Sequence, residues 1–483
     1  MEYSKYQNDL FDFVQNSENS AVVESVAGSG KTVSIVEAAN RLDGIAHRPL
    51  FLAFNKSIAT ELGARLPPMF ESRTMHSLGY RALLSGGPFH TESSKQRILL
   101  SQAKEEGKIS WAEYKDKAQI RQLVQIAKSH LLGPDSPTIE FINLIKRYEI
   151  SPDVMEDGRL IELAILMLEM SLSKSKMIDF DDMIYLPLMN EMRFPQHDFI
   201  FVDEAQDLNA SQHELLNRVL VDNGRLVCVG DSKQAIYGWR GASSASMSKL
   251  GYMFDCDMLP LSISYRCPKK IVERAKVIVP EIEAAPWAIE GEINYIKNIT
   301  EKTFAPNDMI LSRANAPLLG MAYRLIRMKI PATIVGRNIG EGLVKLIRGF
   351  EADNANQLEK KLGKWEEKRV LHHINRDEYR SADHVRDKAN TIRVFLKEMP
   401  GESVNKIINE IEGMFGEARQ DFVNLSTVHR AKGLEADNVF IMENKPWHKS
   451  SKKGASWREQ EERNIDYVAI TRAKKTLNYL EKT

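Results

Sequence analysis

The stretch AGSGKT, residues 27–32, carries the first recognisable chemistry in the chain. It follows a short apolar run at 22–26 and leads into a helical pattern that continues through Leu42, the context a phosphate loop requires. Small residues at Ala27, Gly28, Ser29 and Gly30 let backbone N–H groups curl around a phosphate. Lys31 then reaches the terminal phosphates, and the Thr32 hydroxyl is placed to hold Mg²⁺. Ser25 stands at the first small position of the Gly-x-x-x-x-Gly-Lys-Thr pattern, a departure that its size makes tolerable. A Gly-rich turn that only caps a helix shares part of this pattern, but strand, loop, Lys-Thr pair and helix together favour a nucleotide.

Such a loop needs a partner carboxylate. FIFVDEAQD, residues 199–207, places two acids at the end of an apolar run. Asp203 is suited to hold Mg²⁺ through water, and Glu204 to polarise an attacking water. Adjacent acids after a strand can also simply begin a helix, where the dipole favours negative charge. Beside the phosphate loop, the hydrolytic reading prevails, with a nucleotide's phosphates and Mg²⁺ implied.

Positioning these groups takes a sheet. Strand-length apolar runs recur at 22–26, 50–54, 199–202 and 226–229, and a second set stands at 293–296, 309–311, 332–335, 423–426 and 439–442. Runs apolar on both sides predict parallel strands buried between helices, hence an α/β chain with two sheets. Residues 86–175 show helical spacing, as in Ile120, Leu123, Val124 and Ala127, and read as a helical insertion without strands. Residues 346–420 read as a second, shorter one, and their 14 basic against 14 acidic residues leave it locally neutral.

A length of 483 residues favours several domains and excludes a single small binding module. Equal totals of 66 basic and 66 acidic residues leave no global field toward a polyanion, so any nucleic-acid surface must be local. The cysteines Cys228, Cys256 and Cys267 stand at no CxxC spacing, which argues against a disulfide scaffold or a Cys-based zinc site. His372 and His373 are adjacent and point about 100° apart on a helix, a poor metal pair. The N-terminus lacks a basic segment followed by an apolar one, and the best apolar stretch, 160–172, is interrupted by Glu162 and Glu169. Export and membrane spanning are therefore not expected, and a cytoplasmic location is, at the nucleoid if the chain is bacterial or phage-encoded.

The string DEAQD, followed by VGDSKQAIYGWRGA at 229–242, resembles motifs II and III of superfamily 1 DNA helicases of the UvrD/Rep type. Further strings match that family in its order: Gln7 in YSKYQNDL, FLAFNKSIA at 51–59, TMHSLGYRAL at 74–83, IDFDDMI at 178–184, SISYRCP at 262–268, STVHRAKGLEADNVF at 426–440 and EERNIDYVAITRAKKTL at 461–477. The similarity spans Gln7 to Leu477. The branch holding the F-box DNA helicases and their bacterial and phage relatives is the one it most resembles, although no F-box segment is present.

The resemblance implies two RecA-like P-loop domains, parallel sheets flanked by helices, each with a helical insertion. Residues 1–85 and 176–258 would form the first motor domain around the 86–175 insertion. Residues 259–345 and 421–483 would form the second around 346–420. It implies that Gln7 reads adenine, Tyr265 stacks on the base, Glu435 accepts from the ribose, Gln234 senses the γ-phosphate, and Arg266 and Arg472 meet that phosphate as charge develops. On the DNA side it implies a stacking platform at Trp239 with Tyr237, contacts from Phe54 and Asn55, and backbone or coupling contacts from His76, Thr427 and His429.

The expected function is an ATP-dependent helicase moving 3′-to-5′ on single-stranded DNA and opening duplex, with ATP in an inter-domain cleft. Single strands and single/double-strand junctions are the expected partners, replication and recombination proteins are possible ones, and a monomer is expected in isolation. Two other readings use the same motifs: a translocase that strips proteins from single strands with little unwinding, and a DNA-independent NTPase switch, which an aromatic at Trp239 disfavours.

Overall fold

The computed structural model describes residues 2–42, 44–173, 176–236, 245–376, 378–442 and 456–481. The chain forms two compact units, Met1–Ser262 and Ile263–Thr483.

In the first unit a six-stranded sheet runs Glu71–Thr74, Pro49–Ala53, His197–Val202, Leu220–Gly230, Ala21–Ser25, Asp257–Leu261, and every pairing is parallel. The apolar runs are two-sided because successive side chains feed opposite cores. Val23, Phe51, Phe199, Phe201, Val227 and Val229 join the core under helices Lys5–Asn16, Lys31–Asn40 and Lys56–Gly63. Val22, Leu50, Leu52, Ile200, Val202 and Leu226 join the opposite one, under Met75–Leu84, Asp182–Met189 and Ala210–Val219. Two of those helices touch backbone to backbone at Gly79, where a Cβ would lie 2.1 Å from the Met183 carbonyl oxygen.

The second unit holds a seven-stranded, all-parallel sheet in the order Glu292–Ile296, Ala473–Leu480, Ala436–Ile441, Met309–Ser312, Val423–Thr427, Ala332–Val335, Phe415–Gly416. A separate two-stranded sheet pairs Ile263–Ser264 with Glu283–Ala284.

Besides the two-residue strands, three strands of the large sheets escape the apolar-run criterion. Glu71–Thr74 and Asp257–Leu261 are sheet edges with half-exposed or exposed residues, and Ala473–Leu480 opens on Lys474 and Lys475. Because Asp257–Leu261 pairs with Ala21–Ser25, the chain passes between units at 262/263, four residues beyond the expected 258/259. The 86–175 segment contains helices Lys95–Glu105, Lys117–Ser129, Thr138–Tyr148 and Asp157–Ser173, but also a short strand, His90–Thr91, paired with Met177–Ile178. In the 346–420 segment, helices Ala355–Ile374, Tyr379–Glu398 and Val404–Met414 return to the sheet through Phe415–Gly416. Among the described residues no helix is long and apolar enough to cross a membrane.

Candidate nucleotide site and nucleic-acid face

The phosphate loop leaves the Ala21–Ser25 strand and ends at the first turn of helix Lys31–Asn40. Gly28 (φ 74°) and Gly30 (φ 76°) take the left-handed conformation, which glycine reaches without a Cβ penalty. Loop N–H groups and the helix dipole together favour an anion here. The Ser29 hydroxyl is buried in this loop with no hydrogen-bond partner, as an acceptor-rich phosphate would require.

Lys31 Nζ lies 2.9 Å from Glu204 Oε1. Burial disfavours its charge, but the carboxylates of Glu204, Asp203 and Asp231 outweigh that and raise its pKa. Asp203, buried at the end of its strand, is pushed up to about 6 by burial and by the charge of Glu204. Glu204 has a left-handed φ of 52°, a strained conformation for a non-glycine residue. That turn directs Glu204 back to Lys31, while the Asp203 carboxylate accepts from the Glu204 N–H at 2.9 Å. Thr32 is half-buried in the first turn of the phosphate-loop helix. One hydroxyl and one carboxylate, with water completing the shell, suit Mg²⁺, a cation that keeps several waters.

Residues with no role assigned from sequence bind this cluster together. Gln206 donates to the other Glu204 carboxylate oxygen, and its own Oε1 accepts from the Asp231 N–H at 2.9 Å. Asp231, pushed up to about 6 mainly by burial, accepts from Gln234 Nε2 at 2.7 Å. From the phosphate-loop strand, Ser25 Oγ donates to the Gly230 carbonyl at 2.7 Å and Glu24 accepts from the Ser232 N–H at 2.7 Å. The serine at the first small position thus fastens the phosphate loop to the 230–234 segment. Its hydroxyl was the only sequence signal, and it stood as a departure from pattern.

Gln7 is buried and tied down. Its Oε1 accepts from the Ser4 N–H at 3.0 Å and its Nε2 donates to Ser34 Oγ at 3.0 Å. An amide carries both donor hydrogens and acceptor lone pairs, the pairing that an adenine edge presents in complement.

In the second unit Arg266 Nε lies 2.7 Å from Glu435 Oε2, an ion pair too far off line for a hydrogen bond, and Arg266 Nη1 reaches the Thr471 carbonyl at 3.5 Å. Arg472 is 1% exposed and donates to the Val468 carbonyl (2.9 Å), the Leu434 carbonyl (3.2 Å) and Thr471 Oγ1 (3.3 Å). The structure therefore gathers Arg266, Glu435 and Arg472 in one place. Arg472 would have to exchange carbonyl partners to meet a phosphate. Tyr265 is half-buried beside Arg266.

Of the residues expected to face DNA, Phe54 is 45% exposed at the end of its strand. Asn55 caps helix Lys56–Gly63, accepting from the Ile58 N–H at 2.9 Å. His76 stacks on Phe180 with ring centroids 3.8 Å apart, and burial pushes its pKa down to about 4, so it is neutral at pH 7. Phe180 lies in the IDFDDMI string without an assigned role, yet it is 60% exposed. Thr427 is buried at the end of Val423–Thr427, and His429 follows in the short helix Val428–Ala431. Tyr237 and Trp239 lie outside the described residues.

A phosphate loop and a carboxylate pair at the ends of parallel strands, with a second parallel sheet following, define an α/β protein of the RecA-like P-loop kind. The chain belongs to the UvrD/Rep helicase family: residues 7–255 match the UvrD/REP helicase N-terminal domain and residues 338–480 the UvrD-like helicase C-terminal domain. It is similar to F-box DNA helicase protein 1 of Schizosaccharomyces pombe, 26% identical over 507 residues covering 94% of this chain and 55% of that protein. It is also similar to ATP-dependent DNA helicase PcrA of Leuconostoc citreum, 25% identical over 70% of this chain and 48% of that one. With ATP-dependent DNA helicase Rep of Escherichia coli the identity is 27%, over 52% of this chain and 40% of that one. The chain spans about half the length of these relatives.

Proposed function

We propose that this protein is an ATP-dependent DNA helicase that moves 3′-to-5′ on single-stranded DNA and opens duplex ahead of it. The observation that carries the nucleotide half is the cluster of Lys31, Asp203 and Glu204 beside a phosphate loop with an orphaned Ser29 hydroxyl. Lys31 leaves Glu204 for the terminal phosphates when ATP enters, which releases the carboxylate to orient and polarise the attacking water. Asp203 and Thr32 hold Mg²⁺, which when bound neutralises charge on the phosphate oxygens. Gln234 changes partner from Asp231 to the γ-phosphate. The 230–234 segment passes that change on to residues 237–239, where Tyr237 and Trp239 serve as the stacking step for DNA.

Each unit is a motor domain in this reading, residues 1–85 and 176–262 in the first and 263–345 and 421–483 in the second, the expected 258/259 division moving to 262/263. Arg266 and Arg472 of the second act on the same nucleotide during the cycle, and Glu435, released from Arg266, takes the ribose. Phe54, Asn55, His76, Thr427 and His429 line the track. Single-stranded DNA and junctions are the substrates, and the protein is a monomer in isolation. The family membership and the helicase names of the relatives support this reading.

A second reading, displacement of bound proteins with little unwinding, is favoured by one observation: the second helical segment packs into the core of its own sheet. ATP turnover with and without single-stranded DNA, and opening of 3′- and 5′-tailed duplexes, test both. Wild type should be DNA-stimulated and open the 3′-tailed duplex. Lys31→Ala should lose roughly 10²–10³-fold in turnover. Turnover indifferent to DNA would sink the motor reading, and removal of bound protein without strand separation would select the second.

A further inference from the structure

The small sheet of Ile263–Ser264 and Glu283–Ala284 stands apart from the seven-stranded one and ends each of its strands near an aromatic residue. Tyr265 follows the first strand directly, and Trp287 follows the second after a turn closed by the Ala288 N–H on the Ala285 carbonyl at 2.9 Å. The Ala285 N–H in turn donates to the Ser264 carbonyl at 3.2 Å, which fixes the two loops in register. The rings stack, with centroids 5.9 Å apart and planes at 25°. Trp287 is 68% exposed, so core packing does not account for its place. An offset stack at this separation leaves no room for a base between the rings, because intercalation needs two stacking layers. A base on this platform must lie on the Tyr265 face turned away from the indole.

We propose that Trp287 is a positioning residue for the nucleobase: it forms the back layer of a three-ring stack and holds the Tyr265 ring at the angle that receives the base. This rests on the reading of Tyr265 as the base platform. Tyr265 has two soft side-chain torsions, and a ring held against an indole loses less freedom when a base arrives. Stacking touches no hydrogen-bonding edge, so the contribution is the same for every purine.

The test is steady-state hydrolysis by the full chain with saturating single-stranded DNA. Trp287→Ala should raise the KM for ATP by about 3–10-fold, the range expected of an aromatic pair, with kcat within about twofold. The KM for GTP should rise by the same factor. Trp287→Phe should restore KM, and Trp287→Ala combined with Tyr265→Ala should be no worse than Tyr265→Ala alone. A Trp287→Ala variant with unchanged KM, beside a Tyr265→Ala variant with a raised one, would overturn the role of Trp287 and spare the platform. Additive effects, or a fall in kcat alone, would also overturn it. An unchanged KM in Tyr265→Ala would remove the platform reading itself, and the proposal with it.

Discussion

The two helical segments answer the same topological problem differently. The first, residues 95–173, builds a core of its own around Leu123, Phe141, Leu160 and Met167, which reaches Leu83, Tyr185 and Leu186 but no strand of the six-stranded sheet. The second, residues 355–414, has no such separation: Leu358, Leu362, Phe395 and Ile407 share one core with Ile310, Ile334, Leu425 and Phe440 of the sheet. Where the first meets the rest of its unit, it is held by buried charge. Lys95 Nζ lies 2.6 Å from one Asp182 oxygen, and Lys128 Nζ lies 2.7 Å from the other and 3.2 Å from Asp179, with both lysines and Asp182 at most 1% exposed. The second segment's Arg393, paired with Glu359 and Glu366, is a third exposed. A segment with its own core can move as a body about its attachment, whereas one that completes a sheet's core cannot move without opening that core.

Asp182→Ala is the strongest way to break this contrast, because it leaves two buried lysines without their shared carboxylate. The expected cost is about 3–5 kcal/mol, read as an early urea transition in the first unit with the second unaffected. A single transition displaced for both units would contradict the local role. Phe141→Ala and Phe395→Ala, each costing about 3–4 kcal/mol, sharpen it through hydrogen exchange. Phe141→Ala should lose protection within residues 95–173 and spare the His197–Val202 strand. Phe395→Ala should carry the loss into Ala332–Val335 and Val423–Thr427; equal spread in both variants would erase the distinction.

The smallest effect concerns Asp181 beside the ion cluster, whose pKa burial and the charge of Asp179 push up to about 6. Since the folded-state value lies above the unfolded one near 4, the native chain keeps a proton that the unfolded chain releases. Stability therefore falls as pH rises from about 4 to 6. Asp181→Asn should flatten that fall and gain about 1–2 kcal/mol at pH 7, given its partial exposure, with no gain at pH 4. Thermal unfolding across pH 4–8 measures it.

Much of this was legible in the chain. The runs at 50–54, 199–202 and 309–311 fall on interior strands because a strand buried on both faces is apolar on both, and 423–426 joins them with Asn424 and Ser426 buried. The edge strands Glu71–Thr74 and Asp257–Leu261 were invisible for the converse reason. Lys31, Asp203 and Glu204 were readable from their own chemistry, and Gln206, Asp231 and Phe180 were present in quoted strings but without roles. Gln206 meets Asp231 across 25 residues and Phe180 meets His76 from the turn before a different helix, so periodicity could not pair them.

The sequence by itself determined the phosphate loop, the carboxylate pair, the α/β class and the order of motifs, since each depends on residue types at short, fixed spacing. Its neutral total charge also ruled out a globally basic surface. Only the tertiary structure decided that Ser25 and Glu24 clamp the 230–232 backbone, that Arg472 rests among its own carbonyls, that Tyr265 lies against Trp287, and that one helical segment stands on its own core while the other completes a sheet. These are contacts between side chains and backbone far apart in the chain, and packing sets them.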